Sequence, residues 1–95
     1  MFVILVNYIK PLGEIDALLE DHRRFLDEGY AAGFLLASGP RIPRTGGVIL
    51  AHATSAEELK AYIAKDPFYR AGVATYEVVE FTAVKFDPRL QQIVE

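Results

Sequence analysis

Two side chains far apart in the sequence, His22 and Asp66, have the types and settings that acid-base chemistry needs. His22 falls in a row with Ile15, Leu18, Leu19, Phe25 and Leu26, which recur at three- and four-residue steps. It therefore stands where an amphipathic helix would carry an apolar residue toward its sheet. A carboxylate beside such a ring fixes its tautomer and stabilises its charged form, while burial without one favours the neutral form. Asp66 offers that carboxylate. It opens the stretch Asp66-Pro67-Phe68-Tyr69-Arg70-Ala71-Gly72, and the residue before a proline is pushed out of the helical region, so the helix ending in Ala64-Lys65 must stop there. Pro67 suits the first position of a new turn, and Gly72 suits the left-handed residue that closes it. Both residues also have a structural alternative: Asp66 as an N-cap, and His22 as a hydrogen-bonded core residue.

The remaining candidates surround this pair. Ser38, just before Gly39-Pro40, could donate a hydrogen bond to a bound molecule or serve as a turn residue; no serine-hydrolase motif surrounds it. Asn7 and Tyr8 have opposite parities on the first strand, so at most one faces the helices. Phe68 and Arg70 lie beside the aspartate and complete the substrate-binding candidates, Arg70 as an attractor for an acidic group. Arg41 and Arg44 on the hairpin loop could also attract an acidic substrate, but they read first as solvated loop arginines. His22 and His52 lie in different elements without metal-ligand spacing, and no glycine-rich dinucleotide fingerprint or P-loop is present, so neither a metal nor a cofactor is expected.

The elements that must position these residues follow from hydrophobic period. Phe2 to Ile9 is apolar on both parities, a strand covered on both faces. Lys10 to Gly13 is a turn, and the helix bearing His22 runs from Glu14 to about Ala32, with Gly33 as its stop. Phe34 to Gly39 and Gly47 to Ala53 read as strands joined by a long hairpin loop. Thr54 or Ser55 caps a second helix, with Ser55 and Glu58 at capping-box spacing and Leu59, Tyr62 and Ile63 on its buried side. Thr75 to Phe86 is the last strand. Its Glu77 and Glu80 fall on opposite parities, which calls for a bulge or for two partly covered faces. Asp87-Pro88 ends it, and Arg89 to Glu95 has the pattern of one or two helical turns packing on a neighbouring subunit. Strand, helix, strand, strand, helix, strand is the βαββαβ order of a ferredoxin-like α+β sandwich. Two helices cover only one face of such a sheet. The other is apolar as well, so a second copy is expected to cover it, giving a homodimer or a larger assembly.

Composition sets the outer bounds. A chain of 95 residues, 52% hydrophobic and 24% charged, is read as one folded domain over 1–95. With no cysteine it has neither disulfides nor thiolate chemistry. A net charge of -3 without clustered Lys and Arg gives no footprint for nucleic acid, and no apolar run is long enough for a membrane span. A cytoplasmic protein with a small-molecule ligand is expected.

His22 followed by Phe25-Leu26, the segment Leu36-Ala37-Ser38-Gly39-Pro40, Gly47, and above all Asp66-Pro67-Phe68 with Ala71-Gly72 resemble the YciI-like (YCII-related) family over nearly the whole chain. The resemblance implies a dimeric ferredoxin-like α+β barrel whose candidate active site is a histidine and an aspartate, here His22 and Asp66. The wider group includes a dehydrochlorinase acting on a chlorinated hydroxyhydroquinone, and related dimeric barrels include muconolactone isomerases and cofactor-free monooxygenases. Residues and resemblance together lead to one expectation. It is an acid-base enzyme of isomerase, dehydrochlorinase or lyase type acting on a small hydroxylated or carbonyl compound. The alternative is a noncatalytic ligand-binding or regulatory dimer that uses the same pocket.

Overall fold

A computed structural model of the chain describes residues 1–94. Strand β1 (Phe2–Tyr8) lies inside the sheet, paired antiparallel with β3 (Gly46–Ala51) on one side and β4 (Ala74–Glu80) on the other. Strand β2 (Leu35–Pro40) flanks β3, so the order is β2-β3-β1-β4. Helices α1 (Leu12–Ala17) and α2 (Leu19–Ala31) fill the first crossover, and α3 (Ala56–Ile63) and α4 (Pro67–Arg70) fill the second. The architecture is ferredoxin-like α+β, as the order of sequence periods requires.

Period-two burial accounts for how the sheet meets the helices. Phe2, Ile4 and Val6 are buried, and their cross-strand partners Ala51, Ile49, Val78 and Tyr76, with Ala74 beyond them opposite Tyr8, put the same parity toward the helical layer. Ile15, Phe25, Leu59, Ile63 and Phe68 close the core from the other side. Each such fully buried side chain contributes on the order of 1.5–3 kcal/mol relative to exposure. The opposite parity, Val3, Leu5, Leu50 and Val79, is left half-buried to exposed.

The structure corrects the expected boundaries in three places. The first helix is not continuous from Glu14: it divides at Leu18, whose φ of -105° and ψ of -2° end one helix and begin the next. The last strand stops at Glu80 rather than Phe86, because β1 is its only neighbour and begins at Phe2, the residue opposite Glu80. The bulge lies in β2, between Leu35 and Ala37, while β4 keeps regular register. Local signals hold elsewhere. Ser55 Oγ accepts from the Glu58 N–H at 3.1 Å, and Gly72 takes the left-handed φ of 69° that closes the turn after α4.

The expected tail helix forms as a 3-10 turn at Pro88–Leu90 and α5 at Gln91–Val94, none of it buried; Glu95 lies outside the described residues. Among the described residues no helix is long and apolar enough to cross a membrane.

Candidate active site

The proline at the first position of α4 fixes Asp66 in extended backbone, φ -64° and ψ 127°, at the point where α3 has just ended. Its carboxylate is fully buried. Oδ1 accepts the Phe68 N–H at 3.0 Å, the N-cap bond, and the same oxygen lies 2.8 Å from Nδ1 of His22. Oδ2 accepts from the hydroxyl of Tyr76 on β4. Three donors from three elements therefore converge on one carboxylate, and no buried side-chain nitrogen or oxygen among the described residues lacks a partner. The Tyr76 hydroxyl is held well above its ordinary pKa, first by burial, then by the charge of Asp66 and the hydrogen bond to it. It serves as a fixed donor.

His22 reaches the carboxylate from α2. Its ring lies flat on Phe68, centroids 4.0 Å apart and planes within 9°, with Phe25 stacked farther off at 6.1 Å. The aromatic sandwich and the Nδ1 bond fix both the tilt and the rotation of the imidazole. In the neutral tautomer that donates Nδ1–H to Asp66, Nε2 is the nitrogen with the lone pair. That nitrogen makes no hydrogen bond among the described residues, and the side chain keeps 12% exposure. The residue lines the adjoining cleft.

The cleft, about 420 Å³, opens between α2, the end of β2 and the start of β3. Val6, Leu19, Leu26 and Phe68 make it largely apolar, and His22, Tyr8, Ser38, Arg23 and Arg44 supply its polar groups. Of the residues singled out from sequence, His22, Tyr8, Ser38 and Phe68 thus come together, with Asp66 directly behind the ring. Asn7 and Arg70 do not line the cleft. Asn7 has the parity that faces away from the helices and accepts from Arg41 Nη1 at 2.6 Å, and Arg70 is exposed at the end of α4. Ser38 faces the helices and is bonded at 2.8 Å to the hydroxyl of Tyr30.

Sequence reasoning missed Tyr76 and Arg23, and for Arg44 it put a solvated role ahead of the substrate-attracting one. Tyr76 sits opposite Val6 and two residues from Ala74, on the core parity, so its period is that of a packing residue and only its hydroxyl marks it out. Arg44, expected as a solvated loop residue, instead lines the cleft and donates from Nη2 to Asp16 Oδ1 at 2.5 Å. A pairing across 28 residues leaves no trace in local spacing.

Comparison with known proteins adds a fold relative and a family. The fold is similar to that of 5-chloro-2-hydroxyhydroquinone dehydrochlorinase from Burkholderia phenoliruptrix, solved in complex with 2,5-dihydroxybenzoquinone. The TM-score is 0.71 at 20% identity, over 85% of this chain and 93% of that one. No protein of curated function matches the chain. The model of the YCII-related domain matches residues 1–82, a span that holds all four strands and the helices between them, and the chain belongs to that family.

Proposed function

We propose that the chain is a small-molecule enzyme that moves protons with His22 as general acid-base and Asp66 as the group that orients and charges it. One observation carries the reading: the imidazole is tied at Nδ1 to a fully buried carboxylate, makes no hydrogen bond at Nε2 among the described residues, and lines an apolar cleft. In the resting state Nε2 is the base. It takes a proton from a substrate hydroxyl, or from a carbon next to a carbonyl, and Asp66 stabilises the imidazolium that results. The proton then returns to a different atom, which isomerises the substrate, or is given to a departing group, which completes an elimination. Tyr8 and Ser38 at the cleft wall are the substrate-binding donors, and Phe68 holds the imidazole at its stacking distance.

The first compounds to offer are flat hydroxylated quinones and hydroquinones, the class bound by the fold relative. Solvent-deuterium exchange into the ring positions of 2,5-dihydroxybenzoquinone and related compounds, followed by NMR, reads proton transfer directly. His22→Ala should abolish exchange. Asp66→Asn, which keeps an oxygen for the Phe68 N–H but loses the charge, should slow it by about 10²–10⁴. Full rates in either variant reject these roles.

A second reading is favoured by Asp66 itself. Its bonds to the Phe68 N–H and to Tyr76 give it a structural duty whether or not chemistry occurs, so the same cleft could serve a noncatalytic binding module. Such a protein would bind the compounds, lose affinity in His22→Ala, and never exchange a proton.

The assembly we propose is a homodimer through the sheet face that carries Val3, Leu5, Leu50 and Val79, with the C-terminal turns packed on the partner. Support comes from the apolar parity of that face and from Val79 being 45% exposed.

A further inference from the structure

The charge around the cleft carries the reading one step further, from a reaction type to a substrate class, and this step rests on the cleft being the substrate site. We propose that the cleft selects planar organic oxyanions, ring carboxylates or ionised hydroxyquinones, and that Arg44 and Arg23 are the residues that determine this specificity.

The chain carries 13 Asp and Glu against 10 Lys and Arg, yet among the described residues no acidic side chain lines the cleft and two arginines do. The carboxylate bonded to the cleft's imidazole, Asp66, is fully buried and turned toward three donors, so it does not present its charge to a ligand, and Asp16 is held by Arg44. The two cations play different parts. Arg44 is anchored: its bond to Asp16 occupies one Nη, and a guanidinium has five N–H donors in a planar fork, so the other donors remain for a ligand. Asp16 balances part of its charge while fixing its position. Arg23, next to His22 on α2, supplies a charge with no bonded counter-ion among the described residues. Its neighbour Arg24 is paired with Glu20 and Asp21, whereas Arg23 has no hydrogen bond or ion pair among the described residues.

Shape points the same way as charge. Leu19, Leu26 and the stacked rings of His22 and Phe68 form walls suited to a flat apolar body, with the arginines for its charged edge. A delocalised planar oxyanion matches the guanidinium fork in geometry as well as in sign. A neutral ligand of equal area would leave Arg23 without a counter-ion and the remaining donors of Arg44 without a charged acceptor.

The test compares isosteric pairs on the whole chain by NMR-detected titration: benzoate against benzamide, and 2,5-dihydroxybenzoquinone against its dimethyl ether. The anion of at least one pair should bind about tenfold more tightly than its neutral partner, and the pair that responds identifies a carboxylate or a hydroxyquinone as the source. Added salt should shrink the ratio. It should fall to near unity in the Arg23→Gln, Arg44→Gln double variant and to an intermediate value in Arg44→Lys, which retains the charge and a partner for Asp16. Equal affinities, no binding up to the solubility limit, or a preference that survives the double variant overturns the proposal. Because the readout is binding, its failure is separable from that of the acid-base reading. An anion preference that persists in His22→Ala alongside no proton exchange in the native chain sinks the enzyme and keeps the specificity; exchange without preference does the reverse.

Discussion

The hydroxyl of Tyr76 donates to Oδ2 of Asp66, the oxygen left over once Oδ1 has taken the Phe68 N–H and His22. A strand from the far end of the chain thus completes the solvation of a carboxylate that a helix cap and a histidine satisfy only on one side. Tyr76→Phe keeps the ring and removes that donor. It should destabilise the fold by about 1–3 kcal/mol, the cost of a buried acceptor left without its partner, read as a lower urea midpoint at unchanged slope. A variant as stable as the native chain would mean that Oδ2 is hydrated there.

Alkaline pH probes the same network from the tyrosine side. Tyr76 and Tyr62 are both raised above the ordinary phenol value, each chiefly by burial and then by the charge of Asp66. The folded state therefore keeps protons that the unfolded chain gives up from about pH 10. Their stabilisation is fully present below that pH and is lost as pH rises toward the folded values, with a slope of about 1.4 kcal/mol per pH unit for each tyrosine. Urea unfolding across this window should show a shallower decline in Tyr76→Phe and in Tyr62→Phe than in the native chain. Equal slopes in all three would dispose of the idea.

Gly29, in the last turns of α2, is a glycine for reasons of space. A Cβ there would come within 2.6 Å of Tyr62 Cζ and 2.8 Å of Leu35 Cδ1 and would press on the Tyr62 hydroxyl, which donates to the Phe25 carbonyl at 2.9 Å. Gly29→Ala should lower stability by about 1–3 kcal/mol although alanine is the better helix former, because overpacking outweighs a propensity gain of at most about 1 kcal/mol. Thermal melts decide the sign, and a stabilised variant would show that Tyr62 moves aside freely.

The proposed dimer makes a separate demand. Leu5 lies at the centre of the parity that faces away from the helices, opposite Val48 and Glu77. Leu5→Glu should weaken association at least about hundredfold by burying an unpaired charge, while circular dichroism stays native. Sedimentation of the native chain as a monomer at micromolar concentration would end the case for that interface.

Much of this was legible because it is local. Asp66, Pro67 and Gly72 spell a stop, a start and a left-handed closure within seven residues, and the structure has all three. The order of elements along the chain follows from periods of two and three to four. What stayed hidden is nonlocal. Leu18 breaks the helix without a glycine or proline, and the end of β4 is set by where β1 begins. Tyr76 has the parity of any core aromatic, and the place of Arg44 depends on Asp16 in another element. The residues that carry the candidate chemistry were found by type; those that hold or flank them depend on tertiary contacts.

Asp66 has two employers, the turn into α4 and the imidazole. A relative without the proposed proton transfer would still need its carboxylate to start that turn, while the N-cap bond of the turn does not involve the histidine. Among relatives, persistence of the aspartate is therefore a record of architecture. Replacement of the histidine by a leucine or phenylalanine, which would sit well against Phe68, is the change that marks a member turned to another trade.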